Sequence, residues 1–362
     1  MEPARLRAIL GRTPGLMARH LTTVTHAQDR LPSDLVGALL EGSLPARARR
    51  WLAQPDERLI DADLRWMQAN ETQVLTCLDP DYPPLLRPPH APAALYVRGR
   101  ARALRDPAVA IVGSRQASAA GLASAGHFAT TLARAGVSII GCLDEGIAAA
   151  AHAGALAGEG LTVAVWTAGL DRTPGRLGPL AARISERGCL VSQFGPGIPT
   201  RRHHFPLRNR LVAALATGTL VVEATAGGGA LRTAAAAAAL QRRVFALPGP
   251  IRDPLARPCN QLIRDGATLV QDPCDLLADL NININQCVMP PVGTPLPAPP
   301  ESSPLDNKYE MLLDAAGFEP VDIDVLAFRT GWSGHAVAAM LLMLELQGRV
   351  APQPGGRYCR LS

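Results

Sequence analysis

The sequence predicts an α/β fold in which a doubly wound, mostly parallel sheet lies between an N-terminal helical region and a C-terminal winged-helix domain. Short apolar runs alternate with helical patterns from residue 108 to residue 280. Apolar strands that alternate with helices are typical of a parallel sheet covered on both faces. A proline-rich stretch then precedes the order helix, helix, helix, hairpin, which is typical of a winged helix. These patterns predict domains at 1–75, 76–288 and 305–362, with a linker at 289–304.

The N-terminal region has the pattern of short amphipathic helices. "LVGALLEG" and "ARARRWLAQ" mix apolar and basic residues at helical spacing. "RTPGLMARHL" is weakly similar to a degenerate helix-hairpin-helix turn, so we expect a small packing domain of the SAM-like kind. From 76 to 107, the prolines of "LDPDYPPLLRPPHAPAALYVRGR" exclude central strands and long helices. This stretch is predicted to be an extended connector that ends in the short strand "ALYVRG".

The central domain is predicted to contain alternating strands and helices. The expected strands are "AVAIVG" (108–113), "VSIIG" (137–141), "LTVAVW" (161–166), "GCLVSQF" (188–194), "GTLVVEA" (218–224) and "RVFALPG" (243–249). The expected helices are 118–135, 146–158, 207–216 and 230–241. A helix between two strands returns the chain to the edge where the first strand began, so the pattern predicts parallel neighbours joined by right-handed crossovers.

The linker "MPPVGTPLPAPPESSP" holds seven prolines in sixteen positions, which favours a semi-rigid, extended conformation. Beyond it, helices are predicted near 307–316, 321–329 and 333–347. The last stretch, "GRVAPQPGGRYCRLS", is predicted to be a hairpin and completes the winged-helix order.

The composition sets limits on function. The chain has 362 residues, a net charge of +5 and 4% aromatic residues, which fits an acidic partner but argues against a function built on many stacking rings. Only one of its 36 basic residues is lysine, Lys308, so phosphate contacts would come from guanidinium groups. Seven cysteines without a C-x-x-C pair argue against zinc or a disulfide framework. With neither a signal peptide nor a membrane span in the pattern, a cytoplasmic protein without a membrane partner is expected.

A first anion-binding element is predicted at "AIVGSRQASAAG" (110–121), where a strand ends and a helix begins. Free backbone N–H groups at such a turn attract anions. Gly113 would allow close approach of a ligand, Ser114 can donate a hydrogen bond and Arg115 can pair with phosphate. The motif is not G-x-G-x-x-G, so no dinucleotide cofactor is expected. The alternative is an ordinary turn with a surface arginine.

A second candidate is "RRHHFPLRNR" (201–210), which has four arginines, two histidines and no acidic residue. Phe205 can stack a base, Arg208 and Arg210 can grip phosphate, and Asn209 can reach a base edge or hold the loop. Such a cluster repels itself unless an anion is nearby. The alternative is a solvated basic loop.

A third element, "EATAGGGALRTA" (223–234), again leads from a strand through glycines into a helix. Gly229 and Thr233 lie at the helix start, where an anion would bind. Glu223 is either a general base or a residue that orients the pocket, and we favour the second interpretation. His152 in "AAHAGAL" is predicted to be a packing residue. We find no nucleophile paired with a base and no metal-ligand cluster.

Together these segments resemble the bacterial DNA-processing protein A (DprA, or Smf) family. The matching pieces are "DPDYPPLL", "ALYVRG", "VAIVGSRQASAAG", "AAHAGAL", "HFPLRNRLVAAL", "LVVEATAGGGALRTA", "VFALPG" and "CNQLIRDGA". The resemblance implies an extended Rossmann-like domain that binds single-stranded DNA without sequence preference. It also implies a homodimer that hands the strand to the recombinase RecA during natural transformation (competence), with no catalytic turnover.

By position in the family motifs, the resemblance assigns DNA binding to Gly113, Ser114 and Arg115, to Arg208, Asn209 and Arg210, and to Gly229 and Thr233. One motif departs from the family. "GCLDEGIAAAAH" (141–152) has Glu145 where the family usually has arginine and Ala148 where it usually has aspartate. Gln193 stands where a glutamate is usual. We therefore leave the turn at 141–148 out of the predicted site.

Two other functions remain open at this point. Rossmann-like folds with a glutamate and a glycine-rich turn also occur in nucleotide phosphoribohydrolases, in which Glu223 would take part in the chemistry. Alternatively, the winged helix reads duplex DNA. The presumed recognition helix "SGHAVAAMLLMLELQG" (333–348) is mostly apolar and carries no arginine, which argues against that function.

Overall fold

The computed structural model describes residues 2–26, 34–87, 91–173, 175–282 and 307–361. The predicted linker at 289–304 lies outside the described residues. In the described part of the chain, no helix is long and apolar enough to cross a membrane.

The chain divides into two compact units. One comprises residues 1–117 and 124–286, and the other comprises residues 118–123 and 287–362. Each unit has a hydrophobic core of its own.

The first unit is built on a sheet that has nine strands in the described residues, in the order β1-β2-β6-β5-β4-β3-β7-β8-β9. Strands β3 to β9 run parallel to one another. At the β6 edge, β2 pairs antiparallel with β6, and β1 pairs antiparallel with β2. The strands are β1 Thr72–Thr76, β2 Ala94–Gly99, β3 Ala108–Val112, β4 Ser138–Cys142, β5 Thr162–Trp166, β6 Cys189–Ser192, β7 Gly218–Val221, β8 Arg243–Ala246 and β9 Thr268–Leu269.

The strand order reverses at β3. From β3 the chain builds β4, β5 and β6 on one side, and then places β7, β8 and β9 on the other. β3 and β7 are direct neighbours, with Val112 opposite Val221 at their carboxyl ends. In open parallel sheets, ligands bind in the crevice outside such a switch point.

The N-terminal helices share a core with one face of this sheet. They are α1 Pro3–Arg12, α2 Ala18–His26, α3 Leu35–Glu41, α4 Ala46–Ala53 and α5 Glu57–Ala69. Ile9 and Leu39 belong to the same buried cluster as Tyr96 of β2. The prediction missed β1, because its "TQVLT" run directly follows a helical pattern and gains a partner only through pairing with β2.

The central region has seven helices in the described residues, of which the sequence predicts the first, second, fourth and fifth. They are α6 Ala119–Arg134, α7 Ile147–Ala157, α8 Gly178–Arg187, α9 His204–Leu215, α10 Gly229–Ala239, α11 Arg257–Arg264 and α12 Pro273–Asp279. α9 begins three residues before the predicted start at 207. Pro206 is compatible with this start because the first helical N–H groups have no partner within the helix.

The second unit contains the predicted winged helix. Its elements are α13 Asn307–Ala316, β10 Val321–Asp322, α14 Ile323–Thr330, α15 Gly334–Leu346, β11 Val350–Gln353 and β12 Arg357–Arg360. Leu312, Leu326 and Leu341, one from each helix, are fully buried together. The predicted hairpin pairs β11 with β12, and β10 adds a short third strand that the sequence did not predict.

Candidate functional site

A pocket of about 390 Å³ opens at the switch point of the sheet. The end of β3, the turn after it and the segment after β4 form one side. α9 and the N-terminus of α10 form the other. The described lining of the pocket includes four arginines and two carboxylates.

The turn after β3 holds its shape through its own hydrogen bonds. The Ser114 N–H donates to the Glu223 carbonyl at 2.8 Å, which ties the end of β3 to the end of β7. The Ser114 hydroxyl donates to the Gln116 carbonyl at 2.8 Å. Arg115 extends from this turn with 67% of its side chain exposed. Ser114 therefore shapes the turn, and Arg115 presents an exposed charge at the pocket.

Arg208 of α9 is the fixed charge of the pocket. Only 7% of its side chain is exposed. One Nη donates to the Asn209 Oδ1 at 3.3 Å, and the other lies 3.4 Å from the Asp144 carboxylate. The guanidinium also lies 5.1 Å from the centre of the Phe205 ring. Among the described residues its buried Nε has no hydrogen-bond partner. This leaves one buried donor available near the pocket.

The N-terminus of α10 supplies backbone donors. Gly228 is its N-cap and has no side chain to cap the first N–H groups. The Asn209 Nδ2 donates to the Gly229 carbonyl at 3.3 Å, and the Thr233 hydroxyl donates to the same carbonyl at 3.1 Å. Asn209 thus ties α9 to the first residue of α10, and Thr233 bonds within α10. The amides at this helix N-terminus and the helix dipole favour an anion.

Asp144 and Glu145 lie on the pocket lining, although the sequence prediction left this turn out. Asp144 lies between two arginines, with its Oδ2 3.9 Å from the Arg115 Nε and 3.4 Å from Arg208. Glu145 pairs with Arg176 at 2.8 Å. The position of this turn could have placed it at the pocket, because the turn follows β4, the strand next to β3. Arg202 and Arg232 also line the pocket and were not predicted individually.

The structure brings the predicted residues Gly113, Ser114, Arg115, Phe205, Arg208, Asn209, Gly229 and Thr233 to one pocket. Arg210 is not among them and instead lines a separate cleft. The expectation that Arg208 and Arg210 grip the same ligand neglected helical geometry: residues two apart on a helix point about 200° apart. A role for Arg210 in DNA binding stays a prediction.

Glu223 and His152 lie away from the pocket surface. Glu223 is buried, with 8% exposed, and does not belong to the lining. His152 is fully buried between the Thr162 hydroxyl at 2.7 Å and the Cys142 carbonyl at 3.2 Å. Burial lowers the pKa of His152 to about 4. His152 therefore occupies a packing position, as the sequence predicts.

The geometry defines an α/β protein with an arginine-lined pocket at its switch point, joined in one chain to a winged helix. Residues 73–281 match the family of DNA recombination-mediator protein A, and residues 296–356 match the DprA winged helix domain. The chain belongs to the DNA recombination-mediator protein A family. It is a DNA-processing recombination mediator.

Relatives of known identity agree with this assignment. Protein Smf of Escherichia coli is 37% identical over 318 residues, covering 87% of this chain and 84% of that protein. The structure of DprA from Streptococcus pneumoniae is 30% identical with a TM-score of 0.66, covering 77% of this chain and 99% of that one. The Helicobacter pylori protein, described with its single-stranded DNA binding mode, is 24% identical with a TM-score of 0.52, covering 58% and 96%. This last likeness shows the fold.

Proposed function

We propose that this chain binds single-stranded DNA in the switch-point pocket without sequence preference and acts without catalytic turnover. As a homodimer it loads the recombinase RecA on incoming DNA during natural transformation. The observation that carries the proposal is the convergence of Arg115, Arg208 and the α10 N-terminus on one cavity. The proposed DNA-binding residues in the pocket are Gly113, Ser114, Arg115, Phe205, Arg208, Asn209, Gly229 and Thr233. Arg210 would contact the strand from the neighbouring cleft.

The donors of the pocket suit phosphate better than base edges. Guanidinium groups and helix amides recognise the phosphate oxygens that every nucleotide carries. Phe205 supplies the aromatic face among the described lining residues, which can stack any base. Binding of this kind does not distinguish sequences, and it depends steeply on salt.

The arginines have different parts in this proposal. Arg208 is buried and held by Asn209 and Asp144, so it provides a charge that needs no ordering on binding. Arg115 is exposed, its Nε lies 3.9 Å from a carboxylate, and it can turn toward a phosphate as the strand enters. A flexible outer arginine and a fixed inner one together fit a strand that passes over the pocket.

The absence of turnover is supported by the position of Glu223. Its side chain is 8% exposed and is not among the described lining residues of the pocket, whereas a general base acts within hydrogen-bond reach of the bound substrate. A nucleotide phosphoribohydrolase needs its carboxylate at the sugar. We therefore expect no free base when the chain is incubated with a panel of nucleoside monophosphates, and base release would contradict this part of the proposal.

A homodimer would place two pockets on one strand. The second pocket then binds at high effective concentration, which strengthens a weak phosphate contact without new interactions. Family membership supports transfer of the strand to RecA, and the proposal assigns no surface of this chain to RecA.

The direct test is titration of labelled oligo-dT and of a duplex of equal length at several salt concentrations. We expect oligo-dT to bind more tightly, with a salt slope near ~0.7 for each phosphate neutralised. A duplex has the higher charge density, so a merely basic surface would bind it at least as well. Equal or tighter binding of the duplex would contradict the proposal.

A further inference from the structure

α9 separates the anion pocket from a second and larger cleft. Residues 205, 208 and 209 face the first pocket, whereas residues 207, 210, 211 and 214 face the second. The second set has the spacing i, i+3, i+4 and i+7, which places it on a single helix face. The cleft, of about 570 Å³, lies between this face, the turn that follows α1 and the segment that precedes β2.

The floor of the cleft is aliphatic. Leu10, Leu16, Leu86 and Leu211 are buried in the lining, and Leu207 is 44% exposed at its edge. Exposed apolar surface inside a concave cleft marks a binding site more often than isolated surface leucines do. The floor of the cleft is therefore suited to a large apolar group.

The cleft also carries positive charge that the described residues leave uncompensated. Its described lining contains four arginines and no acidic residue. Arg12 is engaged by Asp63, but Arg210 is exposed and has no ion-pair or hydrogen-bond partner among the described residues. Arg242 donates one Nη to the Leu85 carbonyl at 3.3 Å, and its buried Nε has no partner in the described part of the chain. Charge complementarity therefore favours an anionic occupant.

The lining distinguishes between a nucleic acid and a peptide. A buried base must satisfy the donors and acceptors on its edges, and an aliphatic floor offers none. Phe194, the aromatic residue of the described lining, already has His204 stacked on it at 3.8 Å between ring centres. A leucine, isoleucine or phenylalanine side chain has no polar edge to satisfy, and neighbouring carboxylates can reach Arg210 and Arg242.

We propose that this cleft binds an acidic peptide segment of a partner protein, with an apolar side chain on the leucine floor and carboxylates on Arg210 and Arg242. The partner thus engages one face of α9 while the opposite face lines the anion pocket. This places a protein-docking site beside the switch-point pocket, and Arg210 is the residue that it would share with the predicted DNA site. The inference is independent of what the anion pocket binds.

The test begins with a random peptide library displayed on phage and selected on the full chain. We expect enriched sequences that combine a large apolar residue with nearby aspartate or glutamate. A labelled synthetic copy should lose about tenfold or more in affinity with Leu207→Ser and with Arg210→Ala. Leu269→Ser removes a leucine of equal exposure (44%) outside the cleft and should leave the affinity unchanged.

The proposal is overturned if the selection yields no acidic–apolar consensus, or if the enriched peptide binds equally well to the Leu207→Ser and Arg210→Ala variants. It is also overturned if oligo-dT displaces the peptide and Leu207→Ser weakens oligo-dT binding. The last outcome would assign the cleft to nucleic acid. Arg115→Ala separates this proposal from the previous one, because it alters the anion pocket and should leave peptide affinity unchanged.

Discussion

At the residue scale, Gly113 and Gly229 line the same pocket for different reasons. A Cβ on Gly113 would lie 2.5 Å from the Ile147 Cγ1 and 2.9 Å from the Glu223 carbonyl oxygen. A Cβ on Gly229 would meet its nearest neighbour, the Asn209 Nδ2, at 3.8 Å, an ordinary contact. Gly113 is therefore required by the packing of β3, α7 and β7, and not only by the approach of a ligand.

This contrast predicts the stability of two matched variants. Gly113→Ala should lower the free energy of unfolding by about 1–3 kcal/mol, because backbone and a buried side chain must move. Gly229→Ala should change it by less than about 1 kcal/mol, since alanine also favours the helix. Urea unfolding of both variants measures the difference. Equal destabilisation of the two would contradict the packing argument.

Glu145 changes the charge of the pocket edge. It pairs with Arg176, whose side chain is 75% exposed, so a guanidinium that could meet phosphate is held by a carboxylate. The resemblance places an arginine at this position in most of the family. The chain therefore has a more acidic pocket edge than the family motif implies.

Glu145→Gln should strengthen oligo-dT binding by roughly fivefold at low salt. Removing one negative charge near a bound phosphate in a solvated site is worth about 1 kcal/mol, and Arg176 also becomes available. Fluorescence anisotropy measures the change. Glu186→Gln, an exposed glutamate of α8 outside the pocket, is the matched control. The same gain in both variants would show that only net charge matters.

Sequence reasoning found most pocket residues because each follows a simple rule. A glycine turn between a strand and a helix offers amides, and an arginine beside it offers charge. It expected Arg208 and Arg210 to form one cluster, whereas a helix directs residues two apart to different sides, and Arg210 lines the neighbouring cleft. It omitted Asp144 because the turn at 141–148 departs from the family motif at Glu145 and Ala148.

At the element scale, the attachment of α1 to α5 depends on a buried ion pair. Arg12 donates twice to Asp63 at 2.6 Å and once to the Pro196 carbonyl at 2.5 Å. The two side chains are 9% and 3% exposed. Since burial removes both charges from water, losing one partner leaves the other uncompensated.

Asp63→Asn should therefore lower the free energy of unfolding by about 3–5 kcal/mol. Asp61→Asn is the matched control: Asp61 is 47% exposed and pairs with Arg5 at 2.7 Å, so its loss should cost less than about 1 kcal/mol. Urea unfolding at neutral pH measures both. If the two substitutions cost the same, the buried pair does not stabilise this attachment.

The sequence predicted element types better than element ends. Periodicity distinguished the buried strands from the helices because both patterns extend over several residues. α9 begins at His204 and not at residue 207, since a proline near a helix start removes no helical hydrogen bond. β1 was missed because its pairing with β2 bridges the proline-rich segment, a contact that no local pattern encodes.

At the scale of the whole molecule, the parallel sheet and the winged helix were predictable, but the strand order was not. Alternating strands and helices indicate a parallel sheet, yet they do not say where the order reverses. The reversal at β3 is what brings the turns after β3 and β7 together. The antiparallel addition of β1 and β2 likewise depends on the fold of the whole unit.

The central claim, that guanidinium and amide groups at the switch point hold a single strand by its phosphates, is tested most directly with Arg115→Ala. Oligo-dT and mixed-sequence oligonucleotides are titrated across a salt series, with Arg105→Ala as control, because Arg105 is 52% exposed and lies outside the pocket. We predict weaker binding to every sequence alike, with the salt slope reduced by about 0.7 for Arg115→Ala alone. Unchanged affinity and salt response in Arg115→Ala would contradict the account.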